Sequence, residues 1–252
     1  MTTIDKNRNQ DNNDTSSETS LLVPIIIIIY SLSVLYIDLL ITFNTHFLFS
    51  WGILNFTLSD VLYKFPLLKH YTFITVFDNF DLYKFIFWLI LPFVLFNKFI
   101  DFQWFSLKYW QKQDYLIFLF FCLLCLFSLV FVILSPTLRM FYPGTGTIPI
   151  SQKIQFFLQQ FFWIISWLPG WEFLNRHLLL RACRQISRSS GWFFVTIVET
   201  LYHIFKPMLE IFGMFIFSIV ACLWSQKREN NLMAFFCHFI IEIGLIFILL
   251  TT

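Results

Sequence analysis

Apolar residues run along this chain in long uninterrupted blocks, separated by short polar stretches, with little of the one-faced alternation that marks a soluble helix or strand. The opening block is the exception. Residues 1–20, "MTTIDKNRNQDNNDTSSETS", are mostly Asn, Asp, Ser and Thr, and a disordered tail is expected there. About 20 apolar residues cross a bilayer as a helix, which predicts spans at 21–43, 82–99, 115–135, 153–180, 191–205, 208–224 and 232–250. A further apolar stretch, 47–63, is broken by Gly52, Asn55 and Asp60, and reads either as an interfacial helix or as an extra span. Pro169-Gly170 is expected to break or bend the fourth run. The fold class is therefore all-α, a polytopic helical membrane protein with about seven or eight transmembrane helices. It divides into the tail 1–20, transmembrane helices and loops over 21–150, and a C-terminal helical region over 151–252.

A signal peptide would place its apolar stretch directly after a short basic region. Here that stretch comes late and is too long, so an uncleaved first span is expected. Loop charges set the orientation. Lys98, Lys108 and Lys112, then Arg181, Arg184 and Arg188, then Lys227 and Arg228 mark three basic loops, which seven alternating spans put on the cytoplasmic side with the N-terminus. The opposing loop 136–150 has Arg139 as its one basic residue ahead of the span at 153 and is rich in Gly, Pro and Thr, while Lys64 and Lys69 fall on the expected outside.

Composition supports the membrane class and removes others. The 252 residues are 58% hydrophobic and only 13% charged, against about a quarter charged in soluble domains, and mean hydropathy is +0.72. A net charge of +2 offers no footprint for nucleic acid. The five cysteines form neither a disulfide framework nor a zinc pattern, and Cys122 and Cys125 read as small core residues.

Ionisable residues are costly inside a bilayer and tend to face one another or a watery cavity. Asp38 stands alone in the first span; Glu172, Arg176, Glu199, His203, Lys206, Glu210, His238 and Glu242 all fall in the C-terminal region. Glu172 and Arg176, Glu199 and His203, and His238 and Glu242 are each four residues apart, on one helix face. At a rise of about 1.5 Å per residue from the basic loops, Glu172, His238 and His203 lie roughly 13, 15 and 22 Å deep, so one cavity can hold all three. The structural alternative is an ion pair that makes Glu172 and Arg176 tolerable, with Glu199, Lys206 and Glu210 at an interface where long side chains reach water. The chemical alternative is a carboxylate that activates water while imidazoles polarise a carbonyl or donate a proton. Two His and one Glu also suit zinc, so Glu172, His203 and His238 are a candidate metal set, although no H-E-x-x-H helix is present. A transporter would use buried charges too, but the two halves show no inverted repeat.

These residues resemble the CPBP family, the CAAX-protease and bacteriocin-processing (Abi) membrane proteins. That family carries E-E-x-x-x-R, F-x-x-x-H and a His followed four residues later by Asn, on successive helices. "WEFLNR" (171–176) matches the second Glu and the Arg, "ETLYH" (199–203) the second-motif His, and "HFIIE" (238–242) the third-motif His. The order "GWEFLNR…HIFKPMLE…CHF" looks closer to a bacterial subset with Trp before the Glu and H-x-x-K-P-x-x-E, which Lys206, Pro207 and Glu210 fit. The likeness covers about residues 150–245 and implies an intramembrane endopeptidase acting on a peptide or protein substrate at the bilayer, in the cytoplasmic membrane of a bacterium. It would make 151–252 the catalytic region. Glu172 and His203 would then handle the water, His238 would stabilise the oxyanion, and Arg176 would orient Glu172. Trp171 stands at the place of the first Glu, His177 where Gly is common, Glu199 at the Phe and Glu242 at the Asn. Those departures imply the alternative, a catalytically silent relative serving in bacteriocin immunity or as a scaffold.

Overall fold

The computed structural model describes residues 14–43, 58–65, 72–108 and 110–252, and among them the chain is helical with no β-strand. The longer segments are α1 (Asp14–Phe43), α2 (Leu82–Leu95), α3 (Lys112–Leu134), α4 (150–186), α5 (Gly191–Tyr202), α6 (Met208–Arg228) and α7 (Leu232–Thr251). Four helices among the described residues are long and apolar enough to cross a membrane: Leu21–Leu40 within α1, and α3, α6 and α7. The helices α2 and α5 are apolar but shorter. Short helical turns at Leu58–Leu62, Thr72–Phe77, Asn97–Phe99, Phe102–Phe105 and Pro136–Phe141 link the rest.

Several expected boundaries move. Helix α1 already starts at Asp14, so the tail gives way to helix before Leu21. Residues 1–13 and the first part of the 47–63 stretch lie outside the described residues. Of that stretch, Leu58–Leu62 forms a single helical piece. The run from 82 leaves regular helix at Leu95, and α5 stops at Tyr202, leaving His203 just beyond it. Pro207 accounts for the second stop, because proline disfavours helical geometry in the residue before it.

The clearest correction concerns Pro169-Gly170. The chain runs helically through both, with Pro169 inside Ile150–Glu172, and widens into a π turn at Phe173–Leu179 before Leu180–Ile186 completes α4. A π turn takes up one extra residue per turn, so the helix absorbs an irregularity without ending. Gly170 suits the site because a Cβ there would come within 2.8 Å of the Trp88 Cβ. Residues 170–180 are all buried, so α4 is the central helix of the bundle.

The surrounding helices bury single stripes. Over 21–40 of α1 the buried residues are Pro24, Ile27, Ser31, Val34, Leu35 and Asp38, a helical spacing, while Ile26, Ile29, Tyr36 and Ile37 are exposed. Helix α3 is mostly exposed; its buried Cys122 and Cys125 join Trp224, Met233 and Cys237 in a small cluster. That placement agrees with cysteines as small core residues.

Loops meet at two ends. At one, the Asp101 backbone N–H donates to His177 Nε2 at 3.1 Å, and Arg181 donates to the Phe99 carbonyl at 2.5 Å. The Asn231 N–H donates to the Trp104 carbonyl at 2.9 Å, Asn230 to the Ser106 carbonyl at 2.7 Å, and Arg228 pairs with buried Asp114 at 2.6 Å. The loops bearing Lys98, Lys108, Arg181, Arg184, Lys227 and Arg228 thus gather at one end. At the other end, the segment after Pro136–Phe141 crosses the C-terminus of α7, with the Thr145 N–H donating to the Leu249 carbonyl at 2.8 Å and Lys153 to the Leu250 carbonyl at 2.5 Å. The turn from α4 into α5 is tight: a Cβ on Gly191 would lie 2.8 Å from the Arg184 backbone nitrogen, so only glycine fits.

Candidate functional site

Three helices bring polar side chains against α4. Glu172 ends its regular part and Arg176 follows on the π turn. Glu199 lies on α5, Ser218 on α6, and His238 and Glu242 on α7. Glu172, Arg176, Glu199, Ser218 and His238 are all buried. Uncompensated charge at such positions would cost several kcal/mol, so each has to find a partner.

The partners form a connected row. His238 Nδ1–H donates to Glu172 Oε1 at 2.8 Å. Glu172 Oε2 lies 3.8 Å from Arg176 Nε. The Arg176 guanidinium pairs with the Glu199 carboxylate, whose other oxygen accepts from the Ser218 hydroxyl. On the far side of the imidazole, Nε2 faces Glu242 Oε1 at 3.8 Å. Two carboxylates thus flank one guanidinium, and one imidazole sits between Glu172 and Glu242. Since Nδ1 is held as a donor, the remaining choice is whether Nε2 carries a proton or accepts one from Glu242. Rings fix the imidazole: Trp167 and Phe217 each approach His238 edge-on with centroids 5.4 Å away.

The sequence pairs are rearranged by this geometry. Arg176 was expected to orient Glu172, yet its close partner is Glu199, from the next helix. Glu199 and His203 were expected on one helix face; His203 Nδ1 bonds the Glu199 backbone carbonyl at 2.9 Å. Among the described residues His203 makes no hydrogen bond to Glu172 or His238. Its ring contacts are Trp171 at 5.8 Å and Tyr202 at 5.7 Å. Trp171, at the position of the first Glu in the resembling motif, is buried against Trp88 at 5.6 Å and Tyr202 at 4.9 Å. An indole therefore stands beside His203. Of the expected set, Glu172 and His238 are hydrogen-bonded to each other, while the His203 imidazole bonds the Glu199 backbone carbonyl.

The candidate metal set fares no better. Among the described residues no group of three or more His, Cys, Asp or Glu side chains is arranged to hold a metal ion.

Lys206 and Glu210 lie toward the end opposite the basic loops. Lys206 Nζ is 3.6 Å from Glu210 Oε1, and the Tyr142 hydroxyl donates to Glu210 Oε2 at 2.7 Å. Burial, then the Glu210 carboxylate, push the Tyr142 phenol above its usual range, which keeps it a donor.

Sequence reasoning missed Ser218, Tyr142 and Tyr202. The signal for Ser218 was weak: one hydroxyl in an apolar run. Asp38 did stand out, and its partners are now visible, the Tyr202 hydroxyl and Lys84 at 3.8 Å. Lys84 also reaches Asp81 at 3.3 Å. His177 is buried among Trp104, Phe105 and Phe173, which makes it part of the packing between α4 and the loop after α2. No protein-family model, curated protein or solved structure matches this chain.

Proposed function

We propose that the chain is an intramembrane endopeptidase of the CPBP type, with Glu172 and His238 as its reacting pair and with seven spans that place the N-terminus and the basic loops in the cytoplasm of a bacterium. The observation that carries this reading is the buried Glu172–His238 hydrogen bond at 2.8 Å, on two different helices. The basic loops gathered at one end support the orientation, and the four long apolar helices support residence in a bilayer.

In this reading a water bound beside Glu172 loses a proton to the carboxylate while its oxygen attacks the peptide carbonyl carbon. A C–O bond forms, and the negative charge moves onto the carbonyl oxygen, where the His238 Nε2–H stabilises it. The C–N bond then breaks, and the proton held by Glu172 passes to the departing amine. Arg176 and Glu199 neutralise each other and hold Glu172 in place. The role of His203 contracts to shaping the wall next to Trp171.

A second reading, the catalytically silent immunity or scaffold protein, is favoured by one observation: Trp171, buried between Trp88, Tyr202 and His203, fills the place of a second carboxylate. One experiment separates the two. The protein in lipid nanodiscs is incubated with a membrane-anchored peptide library, and products are read by mass spectrometry. Wild type should cleave, and Glu172→Gln should lose about 10²–10⁴-fold in rate. Cleavage unchanged by Glu172→Gln would sink the peptidase assignment, and no cleavage by correctly inserted wild type would leave the silent reading standing. Rates measured with and without chelator test the candidate metal set Glu172, His203 and His238.

A further inference from the structure

Exposure along the row of ionisable groups falls steadily in one direction. The side chains of Lys206 and Glu210 are 35% and 23% exposed, Glu242 18%, His238 8%, Glu172 3% and Arg176 0%. The open end of the row is the one where Tyr142 and the C-terminus of α7 meet, opposite the basic loops. Glu242 stands between the two parts in this order, with its carboxylate facing the His238 Nε2 at 3.8 Å and an exposure between those of Glu210 and His238.

A strap closes that end. After the turn Pro136–Phe141, Tyr142 bonds Glu210, accepts from Lys206 at 3.3 Å, and is followed by Thr145, which bonds the Leu249 carbonyl. Phe141 also lies under the Lys206 ammonium at 4.8 Å. The strap is held by a few polar bonds and by little buried apolar surface, because Met140 and Phe141 are exposed. Segments held that way open at low cost.

We propose that water and a polar peptide segment reach the Glu172–His238 pair from the end opposite the basic loops, passing Lys206, Glu210 and then Glu242, and that the Tyr142–Glu210 bond latches the strap across this route. The proposal rests on that pair being the functional centre. Polar groups spaced at these intervals can hydrate a narrow path that the apolar remainder of α6 and α7 cannot. When the strap lifts, Lys206 and Glu210 lose Tyr142 and face the incoming segment, and Glu242 becomes the group that solvent meets before His238.

Wild-type protein is tested in sealed vesicles of known orientation. A membrane-impermeant carbodiimide with a small amine is added to one face at a time, and labelled glutamates are located by mass spectrometry. A Glu242→Cys variant probed with an impermeant maleimide gives a second reading, with the wild-type cysteines as background. Glu242 should label from the face bearing Tyr142 and not from the basic face. Tyr142→Phe should raise that rate about tenfold, the shift expected for loss of one hydrogen bond to a charged group. Labelling of Glu242 from the basic face, or none from either face while Glu210 labels, would overturn the route. An unchanged rate in Tyr142→Phe would overturn the latch. Labelling needs no turnover, so failure here differs from failure to cleave peptides.

Discussion

Two acid–base pairs with the same four-residue spacing sit at different depths of this molecule: Glu172–Arg176 in α4 and Lys206–Glu210 at the start of α6. By sequence they are equivalent. In the fold the first is sealed on every side and the second borders the surface. The buried guanidinium also has a second carboxylate partner, Glu199 from the next helix. The difference teaches that local spacing offers a partner without choosing one. Burial chooses, since a guanidinium with no access to water must satisfy itself from whichever helices surround it, whereas Lys206 has water as a standing alternative.

The comparison breaks first at Arg176. Replacing it with Met leaves the buried Glu199 carboxylate with only the Ser218 hydroxyl and Glu172 with only His238, and should cost about 3–5 kcal/mol, read as a fall in thermal midpoint in detergent or nanodiscs. Replacing Arg176 and Glu199 together with Met should recover much of that loss, because an apolar pair of similar volume needs no desolvation. A single Arg176→Met variant as stable as wild type would show that the deep charges are not coupled.

A finer test is Ser218→Ala. It removes one donor to the Glu199 carboxylate and should cost about 1.5–3 kcal/mol in the same melt, with no help from added salt. At the outer pair, Lys206→Ala should change stability by about 1 kcal/mol or less, and what change there is should shrink further in high salt. Equal penalties at Arg176 and Lys206 would erase the distinction between the two pairs.

Much of the architecture was legible along the chain. Among the described residues, apolar runs alone located each of the longer helices, since only a helix satisfies its own backbone in lipid, and helices have a fixed rise. The basic loops were legible as a group, and the fold gathers them at one end. What could not be read was which stripe of a helix faces inward. Helix α1 is apolar nearly all round, so the burial of Ile27, Val34 and Asp38 follows from its neighbours. The passage of α4 through Pro169 was hidden for a related reason: the close approach of Gly170 to Trp88 is a contact between helices.

For the candidate site, the sequence by itself determined which ionisable residues had to be explained and on which helices they ride. Glu172, Arg176, Glu199, His238 and Glu242 are exceptional in apolar runs whatever the packing. Tertiary structure alone decided who meets whom: Glu172 with His238, Arg176 with Glu199, Ser218 behind them, and His203 turned to a backbone carbonyl beside Trp171. The physical reason is range. Spacing governs contacts within one helix turn, while a buried charge is compensated by whatever comes near it across helices, and nothing local in the chain records that distance.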